Sequence, residues 1–495
     1  MESTDIAIVG AGPGGLAAAA EATRAGAQVV LIDENDGPGG QYFRLRRSGV
    51  SGPVGPATRT MELKSRLLKE IDSSRLRGLY HTSVWGVFPG EMLALERDGE
   101  IDLLKFRRLI VATGAYDRPV AFPGWTLPGV MTAGAAQALV KGSGVLPGRR
   151  VLLAGSGPFL LPVAEELAAA GATVVSVLEA TRPRAWLPCL ARIWGRWEQI
   201  AEGYHYMMAL RRAGVPVRFA RIVKEACGGD RISEVVTVAV DAQWHPLPGT
   251  EERLAVDAVG IGYGFLPSTE ITRQSGCTHH FDELRGGWLP VHDHEMRTSV
   301  PTILVAGEAA GIGGARVAML QGRIAGVTAA RDLDYRDAST TDRRLRTVRA
   351  ALTHQRAFAD VLLDVFRPRP GLLELVTDET LICRCEEIPA SQIARYQTAW
   401  PSDLRNWKGV ARPGMGLCQG RICGRIIAAL VARQTGQQEQ QLGMPTARPP
   451  VKPVSMEALA RLDVQAEQYV LSTADQMRMI RDSGHRQDAG GSVSA

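Results

Sequence analysis

DIAIVGAGPGGLAAAAEATRAGAQVVLID, residues 5–33, sets the reading of the whole chain. DIAIVG is a short buried strand, the alanine-rich run after the glycines is a helix, and AQVVLID is a second strand. Gly10, Gly12 and Gly15 stand in G-x-G-x-x-G register with Pro13 and Gly14 between them, and Asp33, followed by Glu34, ends the second strand. The first glycine permits a tight turn, the second lets the backbone approach a pyrophosphate, and the third lets helix and strand pack closely. The helix N-terminus then faces the phosphates, and the acid accepts ribose hydroxyls. Strand, glycine turn, helix and acid in this order predict a bound dinucleotide rather than a purely structural glycine turn.

At 495 residues the chain is too long for one core, so two to four domains are expected. A hydrophobic share of 45% and a charged share of 22% describe an ordinary globular protein. The net charge of +5 is spread along the chain. No basic run or basic–aromatic stripe is read, so nucleic acid is not an expected partner. No apolar stretch is long enough to span a membrane. The N-terminus lacks a basic n-region and a small-residue cleavage site, which points to the cytoplasm. Thiols stay reduced there, so clustered cysteines suggest metal ligands more than disulfides.

Two later segments bear on which dinucleotide is bound. RRLIVATGAYDRPV (107–120) is a strand ending in Ala112-Thr113-Gly114, and PTILVAGEAAGIGGARVAMLQGRIAG (301–326) is a strand running into Gly307-Glu308 and a small-residue helix. Both resemble signatures of two-dinucleotide flavoproteins of the pyridine nucleotide–disulfide reductase type. The resemblance implies FAD, with an acidic residue at the ribityl chain and a helix N-terminus at the flavin. The family usually has Asp where this chain has Glu308. GPGGQYFR (37–44) resembles the loop that places Gly40 and Gln41 near the flavin, and TSVWGV (82–87) resembles the strand whose backbone meets the adenine at Val84.

A second βαβ unit, GRRVLLAGSGPFLLPVAEELAAAGATVVSVLEA (148–180), nearly repeats the first. Gly155 and Gly157 match Gly10 and Gly12, and Glu179 matches Asp33. Leu160 replaces the third glycine. It is expected to push the helix from the strand or to crowd a pyrophosphate, and Glu179 disfavours a 2′-phosphate by charge. In the parent fold this unit binds NAD(P)H. Here a retained fold with a lost or altered site is the preferred reading, and NAD(H) is doubtful. AVDAVGIGYGFLPSTEI (255–271) returns the chain to the first domain. Cys189, Cys227 and Cys277 are far apart, form no C-x-x-C, and read as buried small apolar residues. RRLRTVRAALTHQRAFADVLLDVF (343–366) is a helix with a basic face, read as solvated or as docking a neighbour.

LICRCEEI (381–388) and GMGLCQGRICG (414–424) gather four of the seven cysteines: Cys383, Cys385, Cys418 and Cys423. Two short helices are expected between the pairs and another after Cys423, so the thiols fall near helix N-termini, where an anionic centre is favoured. Arg384 and Arg421 are expected to add positive charge. Four thiolates suit a 2Fe–2S cluster, with structural zinc and disulfides as the alternatives. The C-x-C pair is tighter than structural zinc usually has, and a flavin supplies a redox reason for iron.

The segment resembles the bacterioferritin-associated ferredoxin type of 2Fe–2S module, except that its last pair is C-x4-C. With GSGPFLLPVA, GIGYGFLPSTE and CRCEE, it resembles the flavoprotein group of A-type opine oxidase subunits, alpha subunits of hydroxyproline and related amino-acid dehydrogenases, and a hydrogen cyanide synthase subunit. That resemblance implies an α/β fold. An FAD-binding domain in two halves (1–117 and 263–335) would carry an inserted Rossmann-like domain (118–262). A helical linker (336–375), an α-rich cluster domain (376–435), and an extended strap and tail (436–495) would follow. It implies an electron-transfer subunit of a heteromeric enzyme whose substrate C–N bond is oxidised on a D-amino-acid-oxidase-like flavoprotein partner. A small third subunit, an FMN between subunits, and a quinone or respiratory carrier as acceptor belong to the same expectation, the last with peripheral attachment to the inner membrane. No general base or nucleophile is read near the flavin motifs. The competing readings are a self-contained NAD(P)H-dependent reductase and a zinc-bearing scaffold.

Overall fold

The computed structural model describes residues 2–44, 58–397 and 404–461. Strands β1 (Glu2–Val9) and β2 (Val29–Ile32) are apolar where they cross the sheet, as expected of parallel strands covered on both faces. They join β3 (Leu76–Leu79), β4 (Thr82–Phe88), β5 (Met92–Arg97) and β6 (Glu100–Val111) in the order β3-β2-β1-β6-β5-β4, and strand Ile303–Val305 pairs with the end of β6. β1, β2, β3, β6 and Ile303–Val305 run parallel, whereas β4, β5 and β6 form an antiparallel meander. The register places Val9 beside Ile32 and Val111, and Val111 beside Val305. The loops beginning at Gly10, Asp33, Ala112 and Ala306 therefore leave one edge together, where an open α/β sheet binds its ligand.

The first helix, Pro13–Ala25, is buried over most of its length because helix Ala315–Arg331 lies against it. Glycines allow this contact. A Cβ at Gly322 would stand 2.0 Å from the Gly14 carbonyl oxygen, and one at Gly326 would stand 2.3 Å from that of Ala18. Glu21, in the middle of the alanine run, is 1% exposed. It receives Arg323 at 3.0 Å and Arg24 at 3.3 Å, with Arg344 and Arg336 closing around it.

A second parallel sheet follows in the order Val217–Phe219, Thr173–Glu179, Arg150–Gly155, Ala258–Gly262, Val130–Thr132. An antiparallel sheet of Arg221–Gly228, Ile232–Ala239 and Glu252–Ala255 covers it. Strands Ala115–Asp117 and Phe265–Pro267 pair antiparallel where the chain leaves and re-enters the first unit. Leu160 does not push the helix away. It opens helix Leu160–Ala169 and is 1% exposed, facing Gly262 on the neighbouring strand, whose missing side chain leaves room for it.

Helix Ala338–Val365 follows. Its basic face is not simply solvated: Arg344 reaches Glu21, and Arg349 pairs with Glu295 at 2.9 Å. The cysteine-bearing segment packs on the second unit. Ile382, Ile388, Ile393, Ile427 and Val431 share one core with Phe122, Trp125, Val235 and Tyr263, and the Trp125 indole N–H donates to the Leu381 carbonyl at 2.7 Å. After it, the chain runs extended over the meander. The Val451 N–H donates to the Trp85 carbonyl at 2.8 Å, Lys452 pairs with Glu34 at 2.8 Å, and Val454 and Leu459 pack near Trp85 and Phe88. The part of the tail beyond residue 461 lies outside the described residues.

Candidate dinucleotide cavity and cysteine centre

A cavity of about 1690 Å³ opens at the shared edge of the first sheet. Gly10, Gly12, Pro13, Gly14, Asp33, Glu34, Gly40, Gln41, Val84, Thr113, Gly114, Gly307 and Glu308 all line it. Gly15 does not line it but sits behind the loop: a Cβ there would stand 1.8 Å from the Gly10 carbonyl oxygen. A Cβ on Gly10 would stand 2.2 Å from the Ala112 carbonyl oxygen. Gly12, by contrast, has nothing nearer than 4.0 Å. Gly10 and Gly15 leave no room for a side chain, and the space beside Gly12 would suit a phosphate near the N-terminus of a thirteen-residue helix.

Asp33 stabilises this loop. Its Oδ2 accepts the Ala11 N–H at 2.6 Å, and its Oδ1 accepts the backbone and side-chain N–H groups of Asn35. Glu179 repeats the device in the second unit, accepting the N–H of Gly157 at 2.9 Å and of Thr181 at 2.8 Å. Burial pushes the Glu179 carboxyl up, against these hydrogen bonds. Glu308 turns back on its own loop: its Oε1 accepts the Gly314 N–H at 2.8 Å, and burial raises its carboxyl as well.

The same cavity extends past Gly157, Leu160, Glu179 and Arg182 of the second unit and past Phe358, Leu362 and Phe366 of the long helix and its end. Arg421 also lines it. Arg421, expected to add positive charge beside the thiols, has its guanidinium engaged by three partners. Its Nε pairs with Glu270 at 2.9 Å, Nη2 donates to the Val451 carbonyl at 2.8 Å, and Nη1 donates to the Cys418 carbonyl at 3.3 Å. Arg384 stacks over the Trp125 ring, 5.4 Å from its centroid. The Arg421–Glu270 pair carries no local sequence signal, because its members stand far apart in the chain.

The four cysteines meet as two crossed pairs. Cys383 shares a hydrogen bond with Cys423, and Cys385 with Cys418, so each pair takes one thiol from each motif. The bond from Cys423 lowers Cys383 to about 5, helped by the backbone N–H groups of Glu386, Gly414 and Cys385 and opposed by burial. The same bond raises Cys423. Cys383 and Cys423 are buried, whereas Cys385 is exposed. Gly414, Gln419 and Gly420 have positive φ, the Gly414 N–H donates to Cys383, and Cys423 opens helix Cys423–Thr435. Among the described residues, no group of three or more His, Cys, Asp or Glu side chains is already arranged to hold a metal ion. Cys385 also feels the charge of Cys383, and Cys423 that of Cys418, so the four thiols stand near one another, a donor set that would suit an anionic thiolate centre. Cys189 and Cys277 are buried as expected, whereas Cys227 is partly exposed.

A family model for pyridine nucleotide-disulphide oxidoreductase matches residues 4–332, and one for the sarcosine oxidase A3 domain matches residues 396–462. The chain is 33% identical to the A-type subunit of opine oxidase from Rhizobium meliloti (strain 1021), over 93% of this chain and 99% of that one. It is 30% identical to hydrogen cyanide synthase subunit HcnB of Pseudomonas aeruginosa, over 93% and 99% of the two chains. Among solved structures it resembles an L-proline dehydrogenase from P. horikoshii, with a TM-score of 0.66, 23% identity, and coverage of 93% of this chain and 80% of that one. The chain therefore belongs to the pyridine nucleotide-disulphide oxidoreductase family, in the flavoprotein group that includes HcnB and the A-type opine oxidase subunits.

Proposed function

We propose that this chain is the FAD- and 2Fe–2S-containing electron-transfer subunit of a heteromeric amino-acid or opine dehydrogenase. One observation carries the reading: Arg421 belongs to the Cys418–Cys423 loop and also lines the dinucleotide cavity, so the cysteine centre and the cavity share a wall. FAD and the cluster, when bound, supply two- and one-electron redox chemistry. The Gly10–Gly15 loop would hold the pyrophosphate, with Asp33 and Glu34 at the ribose, Val84 at the adenine, and Gly40, Gln41, Thr113, Gly114, Gly307 and Glu308 along the rest of the molecule. Cys383, Cys385, Cys418 and Cys423 would hold the cluster.

The substrate C–N bond would be oxidised on a D-amino-acid-oxidase-like partner, with FMN at the interface between the two and a quinone or respiratory carrier as acceptor. The proposed division remains FAD domain 1–117 with 263–335, inserted domain 118–262, linker 336–375, cluster domain 376–435, and strap and tail 436–495. Among the described residues no helix is long and apolar enough to cross a membrane.

The test is an absorbance spectrum of the anaerobically purified chain, with iron and zinc counted on the same sample. Flavin bands with a broad iron–sulfur shoulder and about two irons per chain support the relay. Zinc without iron refutes it. A self-contained NAD(P)H-dependent reductase is a second reading, favoured by the continuity of the cavity with the Gly157–Glu179 loop. Anaerobic bleaching of the flavin by NADH would select it.

A further inference from the structure

Four side chains from three distant parts of the chain form one hydrogen-bonded line from the cavity to the cysteine loop. The Thr113 hydroxyl donates to the Ser268 carbonyl at 2.7 Å. The Ser268 hydroxyl donates to Glu270 Oε2 at 2.9 Å, and Glu270 Oε1 takes Arg421 Nε at 2.9 Å. Arg421 Nη1 then donates to the Cys418 carbonyl at 3.3 Å. Thr113, Ser268, Glu270 and Arg421 all line the cavity. Thr113 is one of the residues assigned to the flavin and Cys418 one of those assigned to the cluster, so the line starts at one candidate cofactor position and ends at the other.

The line is firmly held. Glu270 is buried, and each of its carboxylate oxygens has a partner. Arg421 uses its remaining nitrogen on the Val451 carbonyl at 2.8 Å. A buried ion pair offsets its desolvation only when its geometry is fixed and its other hydrogen bonds are made, and both conditions are met here. The charges also reach the cavity wall. Tyr116, which lines the cavity, has its phenol pushed up by burial; Glu270 adds to this, Arg273 and Arg421 oppose it, and Cys418 adds again. Burial lowers the Arg273 guanidinium, and Glu270 opposes that too. One carboxylate thus offsets two guanidinium groups between the cysteine loop and the cavity.

We propose that Glu270 is a positioning residue that aims Arg421 at the Cys418 loop and, by offsetting its charge, sets how readily the cluster and the flavin are reduced. This rests on the electron-relay reading and names the residues through which the two centres feel a common charge. The pair acts by charge alone, and no electron or proton passes through it. An electron placed on either centre adds negative charge there, which a nearby cation stabilises. Net charge and hydrogen bonding are among the properties that set a cluster's potential. Removing the Glu270 charge unmasks Arg421 and favours reduction, whereas removing the Arg421 charge disfavours it. A merely structural role for either residue gives no reason for opposite signs.

The test is an anaerobic redox titration of the full chain with its cofactors, using dithionite and mediators. Electron paramagnetic resonance reads the cluster, visible absorbance reads the flavin, and iron and flavin are counted on every sample. In E270Q the ratio of reduced to oxidised cluster at a fixed potential should rise about tenfold, as for one charge acting through partly screened protein. Tenfold is about 59 mV for a one-electron couple. R421Q should lower the ratio by a similar factor, R421K should stay near the parent, and E270Q/R421Q should return toward it. The flavin should move in the same direction as the cluster in each variant. If R421Q does not keep its iron, E270Q decides alone. With iron and flavin retained, no shift in E270Q, shifts of one sign in E270Q and R421Q, or R421K matching R421Q overturns the proposal while leaving the relay reading intact. A parent chain without iron ends the relay reading and this proposal with it.

Discussion

Replacing Glu21 with Gln tests what holds the two central helices together. The carboxylate is 1% exposed and accepts hydrogen bonds from Arg323 at 3.0 Å, Arg344 Nε at 3.2 Å and Arg24 at 3.3 Å. Arg323 also keeps Glu70 at 2.7 Å, so it is not orphaned by the change, whereas Arg344 and Arg336 lose their buried counter-charge. Breaking a buried pair by removing one partner costs about 3–5 kcal/mol. The retained Glu70 contact and the partial exposure of the arginines place this variant near the low end, about 3 kcal/mol. The assay is urea unfolding followed by tryptophan fluorescence, with R344Q and the double variant completing a cycle. A loss under about 1 kcal/mol, or additive single effects, would refute the claim that this carboxylate joins Pro13–Ala25, Ala315–Arg331 and Ala338–Val365.

G15A should fail to retain flavin, because its Cβ would stand 1.8 Å from the Gly10 carbonyl oxygen; the flavin-to-protein absorbance ratio after purification measures this. C418S should lose iron but keep flavin, read from metal content and spectrum, since the dinucleotide cavity is built from other residues. Burial opposes ionisation of Glu295, but hydrogen bonds from Arg331 and Arg297 outweigh it and hold the carboxyl at about 2, against 4.5 as the ordinary value. Because the folded value is depressed, this contribution is fully present above pH 4.5 and is lost as the pH falls toward 2. Acid unfolding of E295Q should therefore be less steep than that of the parent across that window. L160A should cost about 2–5 kcal/mol in urea unfolding, because the buried side chain leaves a cavity beside Gly262.

The parts of the fold legible in the sequence are those that one short segment determines alone. The Gly10–Gly15 spacing, the acid at Asp33 and the two apolar strands need only each other, so the loop could be read before its surroundings were known. The same holds for the second βαβ unit as a fold. What could not be read depends on partners distant in sequence. Leu160 looked disruptive because Gly262, which makes room for it, lies on another strand. Nothing in the alanine run marks Glu21 as a buried anchor, because its arginines come from residues 323, 336 and 344 as well as its own helix. Glu270, the partner of Arg421, is likewise contributed by another part of the chain. The cysteine motifs announced their chemistry by spacing, yet the crossed pairing of Cys383 with Cys423 and of Cys385 with Cys418 follows from how two loops fold together, which spacing does not specify.

The Lys452–Glu34 pair joins positions 418 residues apart across the mouth of the cavity. A ribosome adding about 5–20 residues per second makes the glycine loop roughly 20–80 s before it makes the segment that covers it. During synthesis the nascent chain therefore passes through a long interval with its cofactor cradle uncovered. Val451 and Lys452, which line that cavity, are thus among the last parts of its wall to be made.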